Sequence, residues 1–492
     1  MRVLFEATEP ANGEADRLFV SALSELIPDC SAVPLQCSRL QGVREGYEVD
    51  QRTPINGLVN KPVASEVSAL VTRFRHSGEF EATRSLALKL LNRVDLTGTF
   101  RLVDREVFFQ MALLDVAEVL VGVTPDIVVF RVTPHEFVPC LLSAMAHFMG
   151  IEVLHFQPCS MAPAMIPKLV SGKSISIGSG LTRKSGLADE IVSIFRHQFE
   201  ILSEGLSPRY MENQRRSDAR QRGGLARLRA VTKSLGWLRR RRFPESVDFS
   251  GHGKVAGFAW NALRLLMTRS LQQTLQFAIS QLPQANDFRG RYSVYAMHYE
   301  PERTSVPDGF PVDSQFDAIL HVRAVTPPDQ IVVVKEHYSQ QSSALRGFLG
   351  RSPWFYELVS RLPNVVFASP GENLRQLARG SHAVYTLTGT IAIEAALTRV
   401  PVFYFGGPWW AGLPGTSRVD FSDQREVIVQ PADDRQISGF LEARILDEMV
   451  PGFAGETVEK LIDRYGWIPA GLRVAEAAAM ARCVLATVGR VG

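Results

Sequence analysis

The chain has 492 residues, of which 46% are hydrophobic, 21% charged and 9% aromatic, with a net charge of +3. At about 150 residues per domain this length indicates two or three domains, and the composition excludes a disordered, collagen-like or coiled-coil chain. The five cysteines are too few and too scattered for a disulfide framework or a CxxC zinc site. The first residues carry no signal-peptide pattern and the apolar runs are of strand length, so we expect a cytoplasmic protein.

Strand and helix patterns alternate at the start of the chain. A short apolar strand is predicted over Arg2–Glu6, and apolar residues at helical spacing predict a helix over Ala15–Leu26. The next predicted elements are a helix over Arg105–Leu120, a strand over Asp126–Val132, a helix over Phe137–Met149 and a strand over Glu152–Phe156. Strand, helix and strand at this spacing are typical of a βαβ unit in a doubly wound sheet.

The alternation resumes after Arg291. Strands are predicted over Tyr292–His298, Ile331–Glu336, Val365–Ala368, Ala383–Leu387 and Val402–Phe405. Helices are predicted over Gln315–Val325, Phe355–Arg361, Leu374–Ala378 and Ile391–Leu397. This pattern indicates a second Rossmann-like domain. After Asp420 the sequence predicts helix to the end, with a final helix over Arg473–Val488.

The fold class predicted from these patterns is α/β, with two Rossmann-like domains (GT-B-like), a helical, basic middle segment and a C-terminal helical tail. The predicted bounds are residues 1–178 for the first domain, 179–290 for a helical basic linker or insertion, 291–430 for the second domain, and 431–492 for helices that pack back toward the first. Fold alone does not give function.

Basic residues are concentrated in the middle segment. Eleven Lys or Arg lie between Arg215 and Arg242 against one acidic residue, Asp218. This basic stripe is either a solvated linker arm or a contact for an anionic membrane surface. Neither interleaved aromatic residues nor a nucleic-acid-binding motif accompanies it, so no nucleic-acid partner is expected.

Ligands of open α/β sheets bind beyond the carboxyl ends of the strands. In the second domain these positions are rich in polar residues and glycine, and the candidate ligand-binding residues are His298, Glu300, Glu302, Lys335, His337, Thr388, Gly389, Thr390, Glu394 and Gly406. Lys335 and His337 alternate along one strand end, so we expect both on one face. Arg303 and Arg346 are weaker candidates.

Two of these groups have alternative interpretations. Thr388-Gly389-Thr390 precedes a helix, where such residues either cap it or bind phosphate through hydroxyl and N–H donors. Glu394 follows one turn later and could accept hydrogen bonds from a ribose diol. The pair Trp409-Trp410 is either a hydrophobic plug or a stacking platform that lines a cleft, and we favour the cleft.

In this order the motifs resemble the bacterial capsule polysaccharide biosynthesis family, some of whose members transfer Kdo from CMP-Kdo. The resemblance covers roughly residues 290 to 412 and consists of an H-x-x-P-E element at His298, a K-E-H element at Lys335, a T-G-T-x-x-x-E-A element at Thr388 and a P-V-x-x-F-G strand ending at Gly406. A weaker similarity lies at Thr133-Pro134-His135-Glu136. The family's His-Pro pair is His337-Tyr338 here, which affects the identity of the donor.

The resemblance implies a nucleotide-sugar domain at 291–430 and an acceptor domain at 1–178. Glycosyl transfer with inversion needs a general base near the acceptor hydroxyl, and Glu136 and His135 are the candidate catalytic residues. Alternatively, Glu136 only complements the dipole of the following helix. Glu9 after the first strand is a third candidate for the base, and Gln157 at the end of the next strand is expected to line the same cleft.

The predicted function is therefore glycosyl transfer in surface (capsular) polysaccharide or glycolipid biosynthesis. The donor would be a nucleotide-activated sugar, with CMP-sugars such as CMP-Kdo favoured, and the acceptor a saccharide or a lipid-linked molecule. The sequence shows no Asp-x-Asp pair at a strand end, so neither a metal nor a cofactor is expected, and protein donors would neutralise the leaving group. The alternatives are a CDP-alditol phosphotransferase of the teichoic-acid type and a non-catalytic capsule assembly or export partner with the same fold.

Overall fold

The computed structural model describes residues 1–7, 13–35, 63–93, 101–173, 175, 186–206, 216, 257–282, 284–285, 291–312, 314–342, 347–369, 372–419 and 429–489. The chain divides into two compact units, each with its own sheet. Unit 1 comprises Met1–Ser193, Gly236–Arg264 and Ile445–Gly492, and unit 2 comprises Ile194–Leu235 and Leu265–Arg444.

Unit 1 contains a six-stranded sheet in the order β13-β5-β4-β3-β1-β2. Its strands are β1 (Arg2–Glu6), β2 (Ser31–Leu35), β3 (Ile127–Phe130), β4 (Glu152–Pro158), β5 (Ala164–Leu169) and β13 (Val450–Pro451). Strands β1 to β4 are parallel, whereas β5 and β13 are antiparallel to their neighbours. Parallel strands are covered on both faces and therefore consist of unbroken apolar runs such as Ile127–Phe130, which is fully buried. Because β1 lies between β2 and β3, the sheet changes its winding direction at β1 and β3.

The helices of unit 1 cover this sheet. They are α1 (Glu14–Leu26), α2 (Ser65–Arg75), α3 (Phe80–Leu91), α4 (Leu102–Val123) and α5 (Phe137–Phe148), followed near the end of the chain by α14 (Val458–Tyr465) and α15 (Leu472–Val488). Helix α15 packs on α1, and Phe19 and Leu23 share a buried core with Met480 and Val484. The middle segment contains α6 (Gly186–Ser203) and α7 (Gly257–Ser280).

Unit 2 contains a seven-stranded parallel sheet in the order β12-β11-β10-β7-β8-β9-β6. Its strands are β6 (Gln284–Ala285), β7 (Tyr292–Ala296), β8 (Ile331–Lys335), β9 (Val365–Ala368), β10 (Val384–Thr386), β11 (Val402–Tyr404) and β12 (Thr416–Arg418). From β7 the chain winds through β8 to β9 on one side and then returns to the other side of β7 with β10. The switch point of this sheet therefore lies between β7 and β10.

Short helices connect the strands of unit 2. They are α8 (Gln315–Val325), α9 (Tyr338–Gln341), α10 (Pro353–Ser360), α11 (Leu374–Arg379) and α12 (Ile391–Leu397), and α13 (Asp434–Glu448) follows the sheet. Ser352 and Asn373 cap α10 and α11 by accepting hydrogen bonds from main-chain N–H groups of the first turn. The core beneath them contains Tyr295, Val334 and Phe405.

The predicted fold class, two Rossmann-like α/β domains, is confirmed by the two doubly wound sheets. The prediction of helix throughout the tail is wrong in one place, because Val450–Pro451 pairs with Ala164 and Met165 as an edge strand. Seven further elements were not predicted from the sequence, namely β2, β5, β6, β12, α2, α3 and α9. The domain bounds remain a prediction, and of the basic stripe only Arg216 lies among the described residues.

Candidate functional site

The carboxyl ends of the central strands of unit 2 lie at one level. Ala296 at the end of β7 is in register with Lys335 of β8 and with Thr386 of β10, and Thr386 is in register with Tyr404 of β11. The segments that follow these four strands therefore begin side by side. They carry the predicted nucleotide-binding residues except Lys335, which is the last residue of β8. The segments after β7 and β10 meet at the switch point, where α/β proteins bind ligands.

His298 joins these two segments. Its Nε2 accepts a hydrogen bond from the N–H of Thr388 over 3.0 Å and lies 3.2 Å from Oγ1 of Thr386. Because Nε2 is an acceptor, the neutral ring carries its proton on Nδ1. Burial, reinforced by His337 and Arg351, lowers the pKa of His298 to about 3. His298 is thus a buried neutral residue that fixes the Thr388 loop.

Two glycines are required by close packing at this point. A Cβ on Gly389 would lie 2.8 Å from Oγ1 of Thr386, and a Cβ on Gly406 would lie 2.4 Å from the carbonyl oxygen of Asp308. Gly406 allows the segment 303–312 to approach, and the N–H of Gly407 donates to that same carbonyl over 2.9 Å. A larger residue at 389 or 406 would displace one of these segments.

The hydroxyl groups of the T-G-T element differ in their partners. The hydroxyl of Thr388 donates a hydrogen bond to the carbonyl of Thr304 over 2.6 Å. Its proton is therefore used within the protein and is not available to a phosphate. Thr390 is half-buried, precedes α12 and makes no side-chain capping bond. Helix α12 has only seven residues, so its dipole is small and the Thr390 hydroxyl is the better donor.

His337 precedes α9 directly and is half-buried. Its Nδ1 accepts a hydrogen bond from the N–H of Ser339 over 3.2 Å, so the neutral ring carries its proton on Nε2. Among the described residues this Nε2–H finds no acceptor. Burial, together with Arg351 and Lys335, lowers the pKa of His337 to about 4, so the ring is a neutral donor near pH 7. Tyr338 occupies the first helical position, and the helix begins there without the proline of the related motif.

Lys335 is buried at the end of β8. One of its N–H donors bonds to the carbonyl of Ser369 over 2.9 Å. This bond ties the end of β8 to the residue that follows β9.

The three carboxylates of the predicted set have different surroundings. Oε2 of Glu300 forms a buried ion pair with Arg351 at 2.9 Å, which makes it part of the protein interior. Glu302 is exposed and accepts a hydrogen bond from the hydroxyl of Thr304. Burial raises the pKa of Glu394 to about 7, against the lowering effect of Arg375, so this group is about half protonated near neutral pH.

The weaker candidates for the nucleotide site were the tryptophan pair and two arginines. Trp409 and Trp410 are both buried, and Trp410 lies edge-on against Tyr404 with ring centroids 5.0 Å apart. The interpretation as a hydrophobic plug therefore fits better than the favoured cleft-lining platform. Arg303 lies 3.5 Å from Asp308 as an ion pair. Arg346 lies outside the described residues.

In unit 1 the predicted catalytic residues follow β3. Glu136 is the residue before α5 and makes no side-chain capping bond. Nδ1 of His135 lies 2.9 Å from the carbonyl oxygen of Thr133. The carbonyl of His135 accepts a hydrogen bond from the side chain of Arg93. Gln157 is buried in β4. Glu9 lies outside the described residues.

Sequence reasoning missed Glu6, which ends β1 beside the segment after β3. Burial raises the pKa of Glu6 to about 8, and the negative charge of Glu136 contributes to this shift. Glu6 is thus protonated at neutral pH and close enough to Glu136 to be coupled to it. A single acidic residue at a strand end gives no pattern that would have identified it.

The described residues contain no group of three or more His, Cys, Asp or Glu side chains arranged to hold a metal ion. No helix in the described part of the chain is long and apolar enough to cross a membrane.

Comparison with known proteins gives weak similarities only. No protein-family model matches the chain, and no curated protein does. Solved structures that resemble it include a β-Kdo 2,7 transferase, KpsC, of Thermosulfurimonas dismutans, at 12% identity and a TM-score of 0.25 over 66% of this chain and 76% of that one. UDP-GlcNAc 2-epimerases of Methanocaldococcus jannaschii and Neisseria meningitidis align over 100% and 99% of this chain and all of theirs, at 9% and 11% identity and TM-scores of 0.22 and 0.21. Similarities of this size carry no argument about function.

Proposed function

We propose that unit 2 binds the nucleotide of an activated sugar at the switch point of its sheet and that the chain is a glycosyltransferase of surface polysaccharide or glycolipid biosynthesis. The observation that carries this proposal is the half-buried imidazole of His337 at the carboxyl end of β8. Its Nε2–H has no acceptor among the described residues and is therefore available to a ligand. The motifs that resemble the capsule polysaccharide biosynthesis family extend from His298 to Gly406 and lie at this same edge of the sheet.

The donor groups fit a single phosphate. Of the predicted ligand residues, His337 and Thr390 offer neutral donors and Lys335 offers one ammonium group. Arg351 is already balanced by Glu300 and Glu336. One cation with neutral donors suits the single phosphate of a CMP-sugar better than the two phosphates of a UDP- or GDP-sugar. We therefore favour a CMP-sugar such as CMP-Kdo.

In the proposed reaction the bond between the anomeric carbon and the phosphate oxygen breaks as the acceptor oxygen attacks that carbon. Lys335, His337 and Thr390 stabilise the charge that develops on the departing phosphate. Glu136 or His135 takes the proton of the acceptor hydroxyl.

The acceptor is proposed to be a saccharide or a lipid-linked molecule. The basic stripe between Arg215 and Arg242 would hold the enzyme on an anionic membrane surface, where a lipid-linked acceptor is found. Sedimentation with vesicles that contain or lack anionic lipid tests this part separately. Binding that is equal for both vesicle types would contradict it.

The test of the donor site is a calorimetric titration of the protein with CMP, CDP, UDP and GDP. Lys335→Ala and His337→Ala should each weaken CMP binding by about tenfold or more, since each removes a donor to the phosphate. The matched control is His321→Ala, which removes another imidazole of unit 2, one that packs edge-on against Phe405. We expect it to leave CMP affinity unchanged.

Other outcomes would select other functions. A preference for UDP or GDP would keep glycosyl transfer and discard the CMP-sugar. Tight CDP binding with alditol-phosphate transfer would support the phosphotransferase of the teichoic-acid type. If no nucleotide binds, the catalytic proposal fails and a non-catalytic capsule assembly partner remains.

A further inference from the structure

Arg351 lies beneath the candidate nucleotide site with only 1% of its side chain exposed. Its guanidinium group contacts the segment after β7 at two points. One terminal nitrogen lies 2.9 Å from Oε2 of Glu300, and the other donates to the carbonyl of His298 over 3.0 Å. The position of His298, and through it the Thr388 loop, therefore depends on this side chain.

The same guanidinium group contacts the segment after β8. Its Nε lies 3.4 Å from Oε2 of Glu336, and that oxygen also accepts a hydrogen bond from the hydroxyl of Tyr356 over 2.7 Å. The other oxygen of Glu336 accepts the main-chain N–H of His337 over 2.7 Å. Glu336 therefore links Arg351 to the main chain of His337, whose imidazole offers the Nε2–H.

The charges within this cluster keep Arg351 ionised. Burial alone would lower the pKa of Arg351, but the carboxylates of Glu336 and Glu300 raise it above its ordinary value. The guanidinium carbon also lies 4.6 Å from the ring centre of Phe355. A planar group with five N–H donors can satisfy partners on several sides, whereas a lysine has one compact ammonium group.

We propose that Arg351 is a positioning residue of the nucleotide site, which it serves by fixing the segments after β7 and β8 relative to each other. This inference rests on the proposed function of the same site. Arg351 itself is too deeply buried to act as a ligand. It acts through His298 and His337. No sequence motif identifies it, because its polar partners lie 15 or more residues away in the chain.

The test is Arg351→Lys, which keeps the buried charge but cannot make all of these contacts at once. Its control is Arg323→Lys. Arg323 also has three partners, which are the carbonyl groups of Thr326, Pro327 and Gln330, but they lie at the amino-terminal end of β8. Both variants should lower the urea midpoint. Only Arg351→Lys should weaken the binding of CMP, CDP, UDP or GDP, by about tenfold. Equal affinities in the two variants would overturn the inference.

A second measurement does not depend on nucleotide binding. Nitrogen NMR of labelled histidine side chains reports which ring nitrogen of His298 and His337 is protonated or accepts a hydrogen bond. Arg351→Lys should shift the signals of both rings, and Arg323→Lys should not. Unchanged ring signals in Arg351→Lys would overturn the positioning role, whereas a wild type that binds none of the four nucleotides would overturn the proposed function.

A milder variant covers the case in which Arg351→Lys does not fold. Tyr356→Phe removes only the hydroxyl that bonds to Glu336 and leaves the ion pairs in place. It should shift the His337 signal and weaken nucleotide binding about threefold. Unchanged ring signals and unchanged affinity in Tyr356→Phe would then contradict the inference.

Discussion

The imidazole of His298 accepts a hydrogen bond from the main-chain N–H of Thr388, with 3.0 Å between Nε2 and N. The two residues lie 90 positions apart in the chain, and their bond joins the segments after β7 and β10 at the switch point of the sheet. His298 therefore shapes the candidate nucleotide site without facing solvent.

Removing this acceptor should affect both stability and binding. His298→Ala leaves the buried N–H of Thr388 without its partner, which costs about 1–3 kcal/mol of unfolding free energy. We expect CMP affinity to fall at least tenfold as the loop shifts. Urea unfolding and calorimetry measure the two effects. A variant that loses stability but binds CMP like the wild type would show that the loop position does not matter.

The stability of the protein should decrease in mild acid. The pKa values of His298 and His337 are about 3 and 4 in the folded protein, against 6.5 in an unfolded chain. The unfolded chain therefore takes up protons first, so the unfolding free energy is highest above pH 6.5 and falls toward pH 4 by up to about 1.4 kcal/mol per pH unit for each histidine.

Urea unfolding of the full chain between about pH 7.5 and 5 measures how the unfolding free energy depends on pH. His337→Asn removes one of the two groups and should reduce the slope by roughly half. His382→Asn, which replaces an exposed histidine of the same unit, is the control and should leave the slope as it is. Equal slopes in all three proteins would contradict the account of the two buried rings.

Nucleotide binding should release protons at neutral pH if Glu394 contacts the ribose. The pKa of Glu394 is raised to about 7 by burial, and a carboxylate that accepts hydrogen bonds from a diol is favoured in its ionised form. Affinity should therefore rise with pH through neutrality. Calorimetry in two buffers of different ionisation enthalpy detects the released proton, and Glu394→Gln should abolish the difference. Identical enthalpies for the wild type would remove Glu394 from the site.

Glu6 should oppose folding increasingly as the pH rises from about 4.5 to about 8. Its pKa is raised from 4.5 to about 8, so the folded state loses stability as the pH rises through this range. Glu6→Gln, which is always neutral, should stabilise unit 1 by about 1–3 kcal/mol near pH 8.5 and have little effect near pH 4. Glu25→Gln on the exposed face of α1 is the control. A pH-independent effect of Glu6→Gln in urea unfolding would contradict the raised pKa of Glu6.

Much of the fold could be predicted because buried parallel strands leave continuous apolar runs such as Ile331–Val334. The polar residues that follow these runs could be located with equal ease. The hydrogen-bond and ion-pair partners of these polar residues could not be predicted. Glu300 looked like a ligand, but its charge is paired with Arg351, which lies 51 positions later in the sequence. Thr388 looked like a phosphate donor, but its hydroxyl bonds to Thr304. Tertiary hydrogen bonds of this kind depend on which loops contact each other in the fold, and local sequence patterns do not predict such contacts.

The most direct test of the central claim is a crystal structure of the protein with the nucleotide that binds most tightly in solution. We expect the phosphate to lie within hydrogen-bond distance of Nε2 of His337 and of the Thr390 hydroxyl, with the ammonium group of Lys335 nearby. A nucleotide bound elsewhere in unit 2, or in unit 1, would contradict the assignment of this site.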